Sequence, residues 1–217
     1  MGAGARGDCP ASRRVPRQER AARTVEALLL AAGDAIAERG FDGATMTQIA
    51  QQAGVSIGAA YQYFPNKEAL AFALRKRYGD EIDARWSAMI EAGEANGKGG
   101  TDATVGELPF AELVERLFDL MVELMADYPA YLPLLSVPLG FHRDAAARNR
   151  LRERFAALFR RYNAALAADE AYRIAEVMLQ VIKSLNPLYA AAKPKERKLL
   201  VAEYKGVLST WLAVRLA

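Results

Sequence analysis

The sequence predicts an all-α chain with a small N-terminal domain and a larger C-terminal helical bundle. Good helix formers, Ala, Leu, Glu, Arg and Gln, dominate its body. Apolar residues make up 52% of it, enough for a real core. They recur at spacings of three and four, and no stretch alternates as a strand does. A glycine-rich polar tract, "GEANGKGGTDATVGE" from Gly93, then divides the pattern into two parts. At 217 residues the chain is long enough to bury a core without help from a metal or a disulfide.

Val25, Leu28, Leu29, Ala32 and Ile36 mark the buried face of a first helix, which Gly40 stops where a left-handed residue is wanted. A capping box, Thr45-x-x-Gln48, opens a second helix with Ile49, Ala50 and Ala53 inward, and Gly54 ends it after barely two turns. Val55 follows as an apolar plug. Ser56 is a natural N-cap for a third helix running to about Phe64, and Asn66 caps a fourth that continues to about Gly93. Beyond the polar tract, helices are expected at about 108–127, 145–167, 169–190 and 194–216, with an irregular proline-containing segment, "YLPLLSVPLGF", between the first two. The expected organisation is a basic disordered arm over 1–19, a helical domain over 20–66, a connecting helix over 67–93 and a second domain over 94–217.

Charge and chemistry narrow the functional classes. Residues 1–78 hold eleven Lys/Arg against seven Asp/Glu, net +4, whereas residues 79–217 hold eighteen against nineteen, net −1. The positive excess lies in Arg6, Arg13, Arg14, Arg17, Arg20 and Arg23, which reads either as a solvated tail or as a foot for a polyanion. Cys9 is the single cysteine and His142 the single histidine. A disulfide framework is therefore excluded, and neither a metal site nor a nucleophile constellation is expected. The sequence predicts no cofactor and no enzymatic activity. The apolar runs "ALLLAA" and "YLPLLSVPLGF" fall far short of the ~20 residues that span a bilayer, and the opening residues lack the apolar stretch of a signal peptide. A cytoplasmic protein with no membrane partner is expected.

Two short helices joined by a glycine turn form a helix-turn-helix, whose second helix can enter the major groove of DNA. If Ala60 and Phe64 face the first helix, a 100° step per residue places Gly58 and Gln62 on the opposite face, flanked by Ala59 and Tyr61. Gly58 and Ala59 remove bulk at the helix N-terminus, so that backbone N–H groups can approach a phosphate or a base edge. The Gln62 carboxamide suits bidentate bonding to adenine, and Ala59 or Ile57 suits a thymine methyl. Tyr61 and Tyr63 offer hydroxyls to phosphates, with Tyr63 expected more firmly at the DNA and Phe64 in the core. Lys67 reads as a phosphate clamp. Thr45 and Thr47 read as helix caps that can also meet phosphates.

The stretch "GATMTQIAQQAGVSIGAAYQYFPNKEAL" resembles the N-terminal domain of the tetracycline-repressor (TetR) family, in its opening threonine, IA-x-x-AGVS-x-G, Y-x-YF and K-E-x-L. The resemblance covers roughly residues 20–75. It implies about nine helices per subunit and a homodimer on a palindromic double-stranded operator. The usual role is a repressor, released when a small-molecule effector enters the C-terminal domain. Carried over by position, DNA contact falls on Thr45, Thr47, Ser56, Gly58, Ala59, Tyr61, Gln62, Tyr63 and Lys67. Ala59 and Ala60 are smaller than the residues many members carry there, so base readout would rest on few side chains.

Beyond about residue 90 only pattern guides the reading. Ile174, Met178, Val181, Ile182 and Leu185, then Leu200, Tyr204, Val207, Leu208, Trp211 and Leu212, form broad apolar faces. They fit either an intramolecular core or a four-helix dimer bundle. The dimer reading assigns Met178, Val181, Ile182, Leu185, Leu208, Trp211 and Leu212 to the interface. Met and aromatic side chains of the middle helices, Phe118, Met121, Met125, Phe155, Phe159 and Tyr162, with Tyr131 and Phe141, suit an adaptable pocket, although the same pattern serves a plain core. Arg148, Arg150, Arg152, Arg154, Arg160 and Arg161 surround one helix, and solvated charge is the default reading. Two alternatives stand beside a ligand-released repressor: a DNA-binding dimer without an effector, and an enzyme built on a helical bundle.

Overall fold

The computed structural model describes residues 17–95, 110–137 and 145–216. Among the described residues the secondary structure consists of nine α-helices. These are α1 (Arg17–Gly43), α2 (Met46–Gln52), α3 (Ile57–Tyr63), α4 (Lys67–Ala95), α5 (Phe110–Asp127), α6 (Tyr131–Leu135), α7 (Ala145–Tyr162), α8 (Ala168–Ala191) and α9 (Pro194–Leu216). The expected arm lies mostly outside the described residues, but Arg17, Gln18 and Glu19 already belong to α1. The polar tract after α4 and Phe141 and His142 also lie outside them.

Local chemistry accounts for the N-terminal elements. Gly40 takes φ 71° and ψ 172°, breaking the regular helix where the sequence calls for a left-handed residue, and a further turn carries α1 to Gly43. The Thr45 hydroxyl accepts from the Gln48 N–H at 3.3 Å and donates to Gln48 Oε1 at 3.0 Å. At the other end of α2, the N–H of Val55 reaches the carbonyl of Ala50 and that of Gly54 reaches Gln51, with Gly54 at φ 69°. This pair of bonds satisfies the last carbonyls and turns the chain sharply, and a left-handed residue makes it possible. Ser56 Oγ and Asn66 Oδ1 accept from Ala59 and Ala69, starting α3 and α4.

Buried side chains form two clusters. One joins Leu28, Ala32 and Ile36 of α1 to Ile49, Ala60, Phe64, Leu70, Leu74 and Tyr78. The other joins Ile82, Trp86 and Ile90 to the apolar faces of α5, α7, α8 and α9. Helix α4 therefore contributes its first half to one core and its second half to the other. Trp86 anchors the second half: its indole N–H donates to the Leu117 carbonyl at 3.2 Å, and its ring meets Phe155 edge-on.

Two features depart from the sequence reading. The segment expected to be irregular contains α6, because Pro133 falls at the third helical position, in the first turn, where the N–H groups have no intrahelical partner. Helix α6 also sends Leu134, and the preceding residue Ala130, into the N-terminal cluster against α1. Helix α7 ends at Tyr162 rather than 167, where Asn163 Oδ1 accepts from the Ala165 N–H and closes a turn.

Candidate nucleic-acid interface and ligand cavity

Helix α3 rests on the N-terminal core through one side only. Ala60 is fully buried and Phe64 nearly so, while Gly58, Tyr61, Gln62 and Tyr63 are exposed and Ala59 is half-buried. The helical period thus produces the face expected. Both tyrosines are open to solvent, Tyr61 keeping 49% of its surface exposed and Tyr63 38%. A Cβ built on Gly58 would meet nothing within 4 Å, and its φ is not positive. The fold itself therefore does not require glycine there. Thr45, Thr47 and Ser56 are exposed beside the same face.

Lys67 is corrected. Its ammonium donates to the carbonyls of Phe41 at 2.6 Å, Asp42 at 3.3 Å and Ala44 at 3.0 Å, and lies 4.4 Å from the Phe41 ring centroid. A lysine has three N–H donors, and all are directed at the end of α1 and the link leading to α2. None is left for a phosphate without giving up a carbonyl. The residue ties α4 to α1 instead. Sequence proximity suggested a clamp because its partners lie more than twenty residues away.

The C-terminal domain holds a cavity of about 470 Å³ between α4, α5, α6, α7 and α8. Its walls include Arg75, Gly79, Ile82 and Trp86 of α4, Met121 of α5, Tyr131 of α6, Arg148 of α7, and Ile182, Lys183, Asn186 and Pro187 of α8. Of the expected pocket residues Met121 and Tyr131 line it. Phe118, Phe155 and Phe159 are fully buried and Met125 nearly so, all in the core, and Tyr162 packs against Phe110 in a tilted pair with ring centroids 4.6 Å apart. Burial pushes the Tyr162 phenol up to about 12. The missed signals were on α4, where Arg75, Gly79, Ile82 and Trp86 recur at spacings of four, three and four, and in the Asn186-Pro187 pair inside an apolar pattern.

Five of the seven expected dimer residues lie inside the chain's own core. Met178, Ile182, Leu185, Leu208 and Leu212 are buried within the single chain, and Ile182 also lines the cavity. Val181 and Trp211 are half-buried. The apolar side chains that α8 and α9 leave exposed are Val177, Leu188, Leu199, Val207 and Val214. The arginines of α7 are partly paired, Arg152 with Glu176 at 3.0 Å and Arg154 with Glu91.

Among the described residues no cluster of three or more His, Cys, Asp or Glu is placed to hold a metal ion, and no helix is long and apolar enough to cross a membrane. A small helix-turn-helix core, joined by one long helix to a larger helical bundle, is the architecture of a transcriptional regulator with a separate C-terminal domain. A family model described as "Bacterial regulatory proteins, tetR family" matches residues 28–74, and one described as "Tetracyclin repressor-like, C-terminal domain" matches residues 109–212. The chain belongs to the tetR family of bacterial transcriptional regulators.

Among curated relatives, the transcriptional activator FasR of Mycolicibacterium smegmatis is 39% identical over 69 residues, covering 32% of this chain and 30% of that protein. The transcriptional repressor NemR of Escherichia coli is 33% identical over 69 residues, covering 31% and 35%. The chain thus matches about a third of the length of these relatives. Among solved structures, a TetR-family regulator from Streptomyces coelicolor superposes with a TM-score of 0.63 at 22% identity, covering 89% of this chain and 98% of the other. The regulator PfmR from Thermus thermophilus gives 0.54 at 16%, covering 83% and 96%. These likenesses concern the fold.

Proposed function

We propose that the protein is a repressor that binds a palindromic operator as a homodimer and is released by a small molecule in the cavity between α4 and α8. The observation that carries this reading is the double use of α4 and α6. One face of each lines the cavity through Arg75, Gly79 and Tyr131, while Leu70, Leu74 and Leu134, with Ala130 just before α6, build the core that holds α3. A ligand that shifts either helix therefore moves the platform of the reading helix.

Tyr131 sits at the junction. It lines the cavity, its hydroxyl accepts from the Asn186 side chain at 3.3 Å, and its ring meets Tyr78 edge-on at 6.2 Å. The Tyr78 hydroxyl lies against α1 at Gly33, where an added Cβ would come within 3.1 Å of it. This contiguous packing supports coupling between the cavity and α1. A coupling of ~1–3 kcal/mol lowers operator affinity several-fold to over a hundredfold.

The reading assigns DNA contact to Thr45, Thr47, Ser56, Gly58, Ala59, Tyr61, Gln62 and Tyr63, with Gln62 at a base edge and the hydroxyls at phosphates. It places the dimer on the exposed side of α8 and α9. Val177, Val181 and Leu188 there share one face of α8, while Val207 and Val214 lie two turns apart on α9. Apolar side chains left outside the chain's own core suit a self-complementary surface. FasR is an activator and NemR a repressor; the repressing sense proposed here rests on operator occlusion.

Selection of bound fragments from the source genome tests the reading. The expected product is a palindrome with half-sites about 34 Å apart, one turn of DNA. An asymmetric consensus, or operator affinity that stays constant with every compound that binds the cavity, contradicts it.

A further inference from the structure

We infer that the cavity selects a small organic acid, an anionic head on an apolar body. This inference names the chemical class of the effector and rests on the reading of the cavity as the effector site. Three cations from three helices, Arg75 of α4, Arg148 of α7 and Lys183 of α8, line it, and the described lining residues include no carboxylate. Glu81 and Asp83, the carboxylates on either side of Ile82 in α4, are not part of the wall.

The polar groups of the wall are unevenly satisfied. Arg148 Nε is buried and makes no hydrogen bond, and neither does Asn186 Oδ1, whose amide nitrogen donates to Tyr131. Arg75 gives one N–H to the Val137 carbonyl at 3.0 Å, and burial holds its guanidinium below its ordinary pKa, with Tyr131 acting in the opposite sense. A buried donor on a cation is stabilised most by an anionic acceptor, because the bond is charge-assisted and the charge is compensated at the same point. A neutral ligand provides the acceptor without the compensation.

The remaining wall is apolar. Ile82, Trp86, Met121 and Ile182 offer a surface for a hydrocarbon or aromatic body, and about 470 Å³ lies within the ~300–1,000 Å³ of small-molecule sites. An inorganic anion leaves this surface uncovered. A cationic amphiphile meets Arg75, Arg148 and Lys183 with like charge.

Trp86 provides the readout, since the chain contains two tryptophans and Trp211→Phe leaves the one in the cavity wall. Fluorescence titration of the full chain with decanoate, decan-1-ol and decylammonium is expected to give decanoate binding at least tenfold tighter than the other two. Arg148→Gln is expected to weaken decanoate about tenfold or more while leaving decan-1-ol within twofold. Decanoate binding no tighter than decan-1-ol, absent decanoate binding, or equal effects of Arg148→Gln on both overturns the inference, and the wild-type comparison decides it even if the variant does not fold. The same compounds are added to protein on its selected operator. Decanoate-selective binding that leaves DNA affinity unchanged upholds the ligand class and refutes the effector reading. Release by decan-1-ol with unselective binding does the reverse.

Discussion

Replacing Gly58 by alanine separates the demands of the fold from those of DNA. The added Cβ meets no atom within 4 Å, so it introduces no clash in the free protein. Glycine in a helix is less stable than alanine by roughly 0.5–1 kcal/mol. At the second position of α3 the lower figure applies, giving a gain of about 0.5 kcal/mol and a melting temperature higher by about 1–2 °C. At the DNA the same methyl group enters the space through which the backbone of α3 would approach a base or phosphate. Overpacking a formed contact costs typically ~1–3 kcal/mol, which is about a fivefold to over a hundredfold loss of affinity. Thermal melting followed by circular dichroism measures the first effect, and fluorescence anisotropy on the selected operator at fixed salt measures the second. Raised stability with unchanged operator affinity would place the N-terminus of α3 away from the DNA and refute the reasoning.

Lys67→Met keeps the apolar stem and removes the ammonium from three carbonyls, so denaturant titration should show a loss of about 1.5–3 kcal/mol. A smaller salt slope of DNA binding without that loss would restore the phosphate role. Val207→Glu, at a side chain 60% exposed in the single chain, should yield a helical monomer in sedimentation velocity, whereas Met178→Glu, fully buried, should unfold it; a persistent Val207→Glu dimer removes α9 from the interface. Burial pushes the Tyr78 phenol up to about 12, against a smaller opposing effect of Arg77. Its contribution to stability is whole below pH ~10, the unfolded value, and is lost as pH rises towards 12, because only the unfolded chain ionises in that window. Tyr78→Phe should therefore lose stability less steeply between pH 10 and 12, and an identical slope in both proteins contradicts the assignment.

The N-terminal helices were legible because their ends are written in local chemistry. Thr45, Ser56 and Asn66 cap through N–H groups three residues on, and Gly54 turns the chain with bonds to Gln51 and Ala50. Ala60 and Phe64 fell on the buried side of α3 because the helical period fixes which residues share a face. Helix α6 was hidden because Pro133 punctuates a helix interior but fits a first turn. Pocket and core shared one signature: Phe155 and Met121 are equally apolar and equally in register, and only tertiary packing decides which of them meets a void. Five of the seven dimer candidates were drawn inward for the same reason. The most apolar positions of α8 and α9, such as Ile182 and Leu212, are taken by the chain's own core, leaving the weaker pattern of Val177, Val207 and Val214 outside.

The reading face of α3 is tested most directly at Gln62, which is exposed and distant from the core. Selecting operator variants with Gln62→Ala and comparing them with the unaltered protein should relax preference at one base pair in each half-site, symmetrically, by about 1–3 kcal/mol, with stability within about ±0.5 kcal/mol. An unchanged preference at every position, or a uniform loss across all sequences, contradicts the assignment of α3 as the helix that reads the operator.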